Sequence, residues 1–252
     1  MIANNPMKTT LDGILNRALL LEQPADGFRV AVDTVLLASA VPAVAGQKVL
    51  DLGCGVGGAM LALACRVPNL SVTGLEIQPA LARLARSNCE RNALQAELHI
   101  LQADATRLSS TFSNIFDHVM MNPPYHDAAK HDASAQESKR LANTEAEGDL
   151  PRWIASAAYA LKDGGLLTLI HRADRRDEIV DCLGAAFGDF HIIPIAPKED
   201  RPPKRVIARA RKGAPKSLTT HAAFVLHNPD GSYTKEADAV LREIEALPEG
   251  AT

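Results

Sequence analysis

From Lys48 onward the chain alternates short apolar runs with amphipathic stretches, and that alternation restricts the fold more than any other feature of its 252 residues. Val49 to Leu52 reads as a short buried strand, Ser71 to Glu76 and Glu97 to Gln102 as a second and a third, and the apolar run Phe116 to Met121 as a fourth. Gly57 to Arg66 and Pro79 to about Asn92 read as the helices between them, the second opened by a proline at its start. Strands joined through helices run parallel, are covered on both faces, and so read as nearly continuous apolar runs. Leu150 to Leu161 predicts a helix ended by Gly164-Gly165, Leu166 to His171 a fifth strand, and Arg175 to Phe187 a further helix. Phe190 to Ala196 and Val206 to Ala210 flank the basic, proline-rich stretch 197–205 and predict an antiparallel strand pair at one edge. The expected fold is thus α/β and Rossmann-like, a seven-stranded mostly parallel sheet with helices on both faces. Thr219 to Leu226 adds room for one more strand, His227 to Gly231 is a turn, and Lys235 to Leu247 a last helix.

A composition that is 46% hydrophobic lets a chain of this length bury one large core. We divide it at residue 46, with 1–46 as an N-terminal segment packing over the cofactor site and 47–252 as the main domain. Within the segment, Leu11, Ile14, Leu15, Ala18 and Leu19 fit either a short helix or a strand pair, and Asp33 is placed to cap a helix starting at Thr34. His126 to Gly148 is polar and poor in large apolar residues, which predicts a mobile loop and a lid over the site. The formal net charge of -3 excludes a chain coated in positive charge, so contact with nucleic acid must use a local patch. Cys54, Cys65, Cys89 and Cys182 have no paired short spacing, so neither a disulfide framework nor a zinc cluster is expected, and a reduced cytoplasm fits. No apolar run is long enough to span a bilayer. His126-Asp127 and His131-Asp132 offer four metal-ligand types in one loop, but a first shell needs rigid support, and no metal is expected.

Asp51-Leu52-Gly53-Cys54-Gly55-Val56-Gly57-Gly58 falls at the first strand-to-helix turn, where glycines let the backbone approach a ligand without a Cβ in the way. Gly53, Gly55 and Gly58 also satisfy the dinucleotide fingerprint, in which a pyrophosphate rests on the helix N-terminus. Asp51 argues against that ligand, because its carboxylate repels a pyrophosphate and welcomes a cation. S-adenosylmethionine carries an ammonium and a sulfonium and meets the demand. Glu76, with Ile77 beside it, ends the second strand and can accept from two ribose hydroxyls. Asp104, with Ala105 beside it, follows the third strand and is able to accept from an adenine amino group, or merely to close a turn.

Met121 ends the fourth strand and leads into Asn122-Pro123-Pro124-Tyr125. A residue before proline is pushed towards extended backbone, so Asn122 is held rigidly at the strand end with its carboxamide aimed outward. An aromatic ring one residue past a fixed hydrogen-bond acceptor suits a planar molecule that carries an amino group. No cysteine lies here, which disfavours chemistry through a covalent thiol intermediate.

These residues resemble the Asn-Pro-Pro-Tyr motif of S-adenosylmethionine-dependent amino-methyltransferases. Together with Asp51-x-Gly53-x-Gly55-x-Gly57, Glu76 and Asp104, they stand in the order of class I methyltransferases over roughly Lys48 to Tyr125. Gly27-Phe28-Arg29 with Asp33, the tail Arg201 to Gly213, and Asp230-Gly231-Ser232-Tyr233 are similar to the bacterial tRNA1(Val) adenine-N6 methyltransferase family. The resemblance implies S-adenosylmethionine as cofactor and methyl transfer to the N6 amino group of an adenine in RNA, with tRNA as partner. It implies Asn122, Pro123 and Tyr125 at the chemistry and Pro124 against the acceptor. Arg201, Lys204, Arg205, Arg209, Arg211, Lys212 and Lys216 gather cations for phosphate contact, with Lys139 and Arg140 able to join them, or else form a solvated sheet edge. The same motif also suits the side-chain amide of a release-factor glutamine or an adenine in DNA, and an NAD-dependent oxidoreductase or a silent RNA-binding module stands further off.

Overall fold

The computed structural model describes residues 7–26, 29–124, 126–127, 144–145 and 149–248. Its main sheet is built from β3 (Lys48–Leu52), β4 (Ser71–Glu76), β5 (Glu97–Gln102), β6 (Phe116–Met121), β9 (Leu161–Arg172), β10 (Phe187–Ala196) and β11 (Arg205–Lys212). Across the sheet these lie in the order β10-β11-β9-β6-β3-β4-β5. Only β11 runs against its neighbours, pairing antiparallel with both β9 and β10, so β10 points the same way as the rest. Two short strands, β12 (Leu218–Thr220) and β13 (Phe224–Val225), extend β10 in parallel where the sequence allowed a single strand.

The central strands β3 and β6 are mostly buried because both faces are covered, whereas the edge strand β5 is largely exposed. Val49 and Met120 point into one core with Leu36, Met60, Ile170 and Ile207, while their chain neighbours Leu50 and Val119 point into a second with Ile154, Leu167 and Leu183. The first face is covered by α1 (Val32–Ala40), α2 (Gly58–Arg66) and α3 (Pro79–Asn92), the second by α4 (Asp149–Ala160) and α5 (Arg176–Leu183). A final helix, α6 (Lys235–Arg242), begins at Thr234, whose side chain accepts from the Ala237 N–H. No helix among the described residues is long and apolar enough to cross a membrane.

Two local expectations are revised, and one alternative is decided. Asp33 does not cap α1; Ala31 occupies the N-cap and Asp33 sits in the first turn. Helix α4 stops at Ala160 and β9 begins at once at Leu161, taking in Gly164 and Gly165, with its register against β6 shifting between Phe116 and His118. Gly164 adopts φ +76°, so the glycines serve an irregularity within the strand, not a helix end. The N-terminal segment forms a hairpin of β1 (Thr9–Ile14) and β2 (Leu19–Pro24). The expected lid, 126–148, lies outside the described residues apart from β7 (His126–Asp127) and β8 (Thr144–Glu145), as do Lys139 and Arg140.

Candidate active site

The carboxyl ends of β3, β4 and β6 lie side by side, with Asp51 opposite Met120 and Leu52 opposite Met121. The glycine turn follows β3 and bends through left-handed conformations at Gly53 (φ +71°), Gly55 (φ +57°) and Gly57 (φ +86°). Gly53 is required for space as well as for φ, because a Cβ there would lie 2.6 Å from the Trp153 ring of α4. The pocket beneath this turn is lined by Asp51, Gly53, Gly55, Gly58 and Asn122, and is closed from the N-terminal side by Val30, Thr34 and Leu37. Val30 presses on the turn itself, 2.6 Å from where a Cβ on Gly58 would stand.

Asp51 is the outstanding electrostatic feature. It is 2% exposed, and its Oδ2 is buried with no hydrogen-bond partner among the described residues. Burial pushes its carboxyl up to about 8, against the pull of the Met60 N–H, with the Glu76 carboxylate adding to the rise. Glu76 is also raised by burial, though less freely, since backbone N–H groups hold its charge. Its Oε2 accepts from Gly55 at 3.0 Å and its Oε1 from Gln78 at 2.7 Å. Two buried carboxyl groups side by side, one of them with an unused oxygen that only a cation would hold ionised, form a site for a cation and not for a pyrophosphate.

The remaining expected cofactor residues are more loosely placed. Ile77 is 59% exposed beside the Glu76 strand end, and Ala105 is buried. Asp104 accepts from the Thr106 N–H at 2.8 Å and hydroxyl at 2.7 Å, so one oxygen closes a local turn, and its other oxygen lies 3.8 Å from Arg107. Asn122 lines the same pocket as Asp51, Pro123 is buried and Pro124 half-buried. Tyr125, and Gly27 with Phe28, lie outside the described residues.

The seven cations between Arg201 and Lys216 do not form one patch. Strand β11 carries its start, Arg205, opposite Arg172 at the carboxyl edge of the sheet and its end, Arg211, opposite Leu166 at the amino edge. A strand rises about 3.4 Å per residue, so a run close in sequence is drawn out along it. Arg205, with Arg201 and Lys204 before it, therefore lies at the carboxyl edge, while Arg211 and Lys212 lie at the far edge, where Arg209 and Arg211 share a separate cleft with His118, Lys162 and Asp189. At least four of the seven are also paired: Arg201 lies 3.8 Å from Asp200, Arg205 Nε donates to Asp33 at 2.8 Å, Arg211 lies 3.7 Å from Asp189, and Lys212 lies 3.8 Å from Asp163.

Val30, Thr34 and Trp153 also shape the site, and none belongs to a recognisable motif. Trp153, the chain's one tryptophan, carried a usable signal, being a large ring in the helix after the proline motif.

A profile of the methyltransferase small domain family matches residues 28–198. A Yersinia pestis protein named tRNA1(Val) (adenine(37)-N6)-methyltransferase is 37% identical over 99 residues, covering 39% of this chain and 40% of that one. The match thus spans about two fifths of the relative's length. Among solved structures, a predicted O-methyltransferase from Agrobacterium tumefaciens aligns over 85% of this chain and 97% of its own, at 29% identity and a TM-score of 0.72. The T. thermophilus 16S rRNA N2 G1207 methyltransferase, solved with AdoMet and guanosine, shares the fold at 23% identity and a TM-score of 0.59, over 82% of this chain and 51% of its own.

Proposed function

Because the chain belongs to the methyltransferase small domain family and is a class I S-adenosylmethionine-dependent methyltransferase, we propose that its acceptor is the N6 amino group of an adenine in RNA, with tRNA as the substrate. The observation that carries this reading is Asn122, held by a proline at the end of β6 in the pocket that Asp51 and Gly53 also line. The residues present fit the cofactor, since the unpartnered Asp51 Oδ2 is a buried acceptor that a cationic group would hold ionised. When bound, S-adenosylmethionine supplies an electrophilic methyl on a sulfonium.

An exocyclic adenine nitrogen is a poor nucleophile because its lone pair is delocalised into the ring. The Asn122 side-chain oxygen and the Pro123 carbonyl accept its two protons in hydrogen bonds, which favours a tetrahedral nitrogen with its lone pair free to attack. As the nitrogen takes the methyl group the carbon–sulfur bond breaks, and the cationic amine then sheds one of these protons to water, so positioning and electrostatic complementarity suffice without a strong base. Pro124 forms part of the acceptor wall, and Tyr125 stacks on the base, a role resting on its sequence position. Glu76 and Ile77 take the ribose side of the cofactor and Asp104 and Ala105 its adenine, with Gly53, Gly55 and Gly57 supplying close backbone. The segment up to residue 46 covers the cofactor through Val30 and Thr34. Arg201, Lys204 and Arg205 stand at the carboxyl edge, where an RNA backbone would pass.

The pairing and scattering of the other cations favour a second reading, in which the same motif holds the side-chain amide of a protein glutamine, as in release factors. Incubation with labelled S-adenosylmethionine and, separately, tRNA, ribosomal RNA, DNA and release factors, followed by mass spectrometry, tests both. N6-methyladenosine in tRNA is expected. Label confined to a glutamine would overturn the RNA reading and establish the second.

A further inference from the structure

Helix α3 carries Asn88 and Asn92 one turn apart, and both face strand β2 of the N-terminal hairpin. Asn92 accepts from the Leu20 N–H at 2.9 Å and donates to the Leu20 carbonyl at 3.0 Å. Asn88 treats Glu22 in the same way, accepting at 2.8 Å and donating at 2.9 Å. The two carboxamides thus replace a neighbouring strand along the free edge of β2. Their second N–H groups differ. Asn92 spends its own on the carbonyl of Asn88 within the helix, at 2.7 Å. Asn88, which is fully buried, donates to the carbonyl of Val56 at 2.9 Å.

Val56 lies within the glycine turn and lines the cofactor pocket. The turn's other fastenings come from the sheet and from itself, namely Cys54 N–H to Leu75, Gly55 N–H to Glu76 and Gly57 N–H to Cys54. A turn built of three left-handed glycines has little stiffness of its own. We propose that Asn88 is a positioning residue for the cofactor, fixing the Val56 peptide of the glycine turn while it holds the N-terminal hairpin on the opposite side of the same carboxamide. Hairpin docking and cofactor binding are thereby coupled through one side chain, and coupling of this kind acts in both directions. The inference rests on the cofactor and is independent of whether the acceptor is RNA or protein.

Asn92 provides the internal control, because its loss also unfastens β2 yet leaves Val56 held. Calorimetric titration of the whole chain with S-adenosylmethionine is expected to show roughly tenfold or greater weakening in Asn88→Ala, since a buried carbonyl loses its donor. Asn92→Ala is expected to stay within about threefold of the parent while losing comparable thermal stability. Equal affinities in the two variants would overturn the proposal. A second measurement needs no variant and decides the matter where Asn88→Ala does not fold. In the parent, saturating S-adenosylmethionine should slow amide hydrogen exchange of Glu22 severalfold, because releasing that N–H also releases Val56. Exchange at Glu22 that ignores the cofactor would contradict the coupling.

Discussion

The glycine turn and strand β11 both gather charge, and they treat it in opposite ways. At the turn, Asp51 is buried and one of its oxygens has no partner among the described residues, at the cost of a carboxyl pushed up to about 8. Along β11, Arg205, Arg211 and Lys212 are each within 4 Å of an acid, at 2.8, 3.7 and 3.8 Å. A buried charge left short of partners is expensive and marks a place where a ligand completes the structure. A partly exposed charge that already has a partner contributes little beyond local geometry. The number of charges in a stretch is therefore a poorer guide to a site than the state of their partners.

The sharpest way to divide the site is Asn122→Ala. Turnover is expected to fall by about 100- to 1,000-fold, as when a single positioned polar group is removed from a transition state, while S-adenosylmethionine binds as before. Since Asn122 and Asp51 line one pocket, equal loss of turnover and cofactor affinity would make Asn122 part of the cofactor wall instead. Next in size is Asp51→Asn, for which calorimetry should show S-adenosylmethionine binding weakened roughly 10- to 100-fold by loss of a charge-assisted bond. The same variant has a pH signature. Because the folded protein holds the Asp51 proton more tightly than the unfolded chain does, this residue's contribution to stability is full below about pH 4 and is lost as pH rises through about 8. Melting temperature should decline over that window in the parent and less steeply in Asp51→Asn.

Strand β11 is tested by two charge reversals at its opposite ends. Replacing Arg201 and Lys204 with glutamate should weaken tRNA binding and flatten its salt dependence, because fewer counterions are released on association. Replacing Arg211 and Lys212 should lower melting temperature and leave the salt dependence alone. Equal effects on RNA binding would restore the single basic patch that the strand geometry divides. The smallest effect belongs to Arg205→Ala, about 1 kcal/mol of stability from the Asp33 pair that ties α1 to β11, measured by denaturant unfolding.

The central strands and the glycine turn were legible in the sequence because their causes are local. Double-sided burial leaves short, mostly apolar runs in β3 and β6, and left-handed backbone leaves glycines at Gly53, Gly55 and Gly57. The hairpin was legible only as one of two alternatives, since what orders β2 lies 66 and 72 residues away in Asn88 and Asn92, which look like ordinary polar positions of a helix. Gly164-Gly165 misled for a related reason: a glycine pair ends a helix or kinks a strand equally well, and the pairing of β9 with β6 decides which. The basic stretch misled because alternation and rise along a strand separate residues that are adjacent in sequence.

The claim that an unsatisfied buried acid defines the cofactor site is tested most directly by counting protons. At pH 7 a carboxyl with a value of about 8 is largely protonated, and a cationic ligand must drive the proton off to use it. Calorimetry of S-adenosylmethionine binding in buffers of different ionisation heat should reveal close to one proton released by the parent and none by Asp51→Asn. Proton release that is absent in the parent, or undiminished in the variant, would contradict the account.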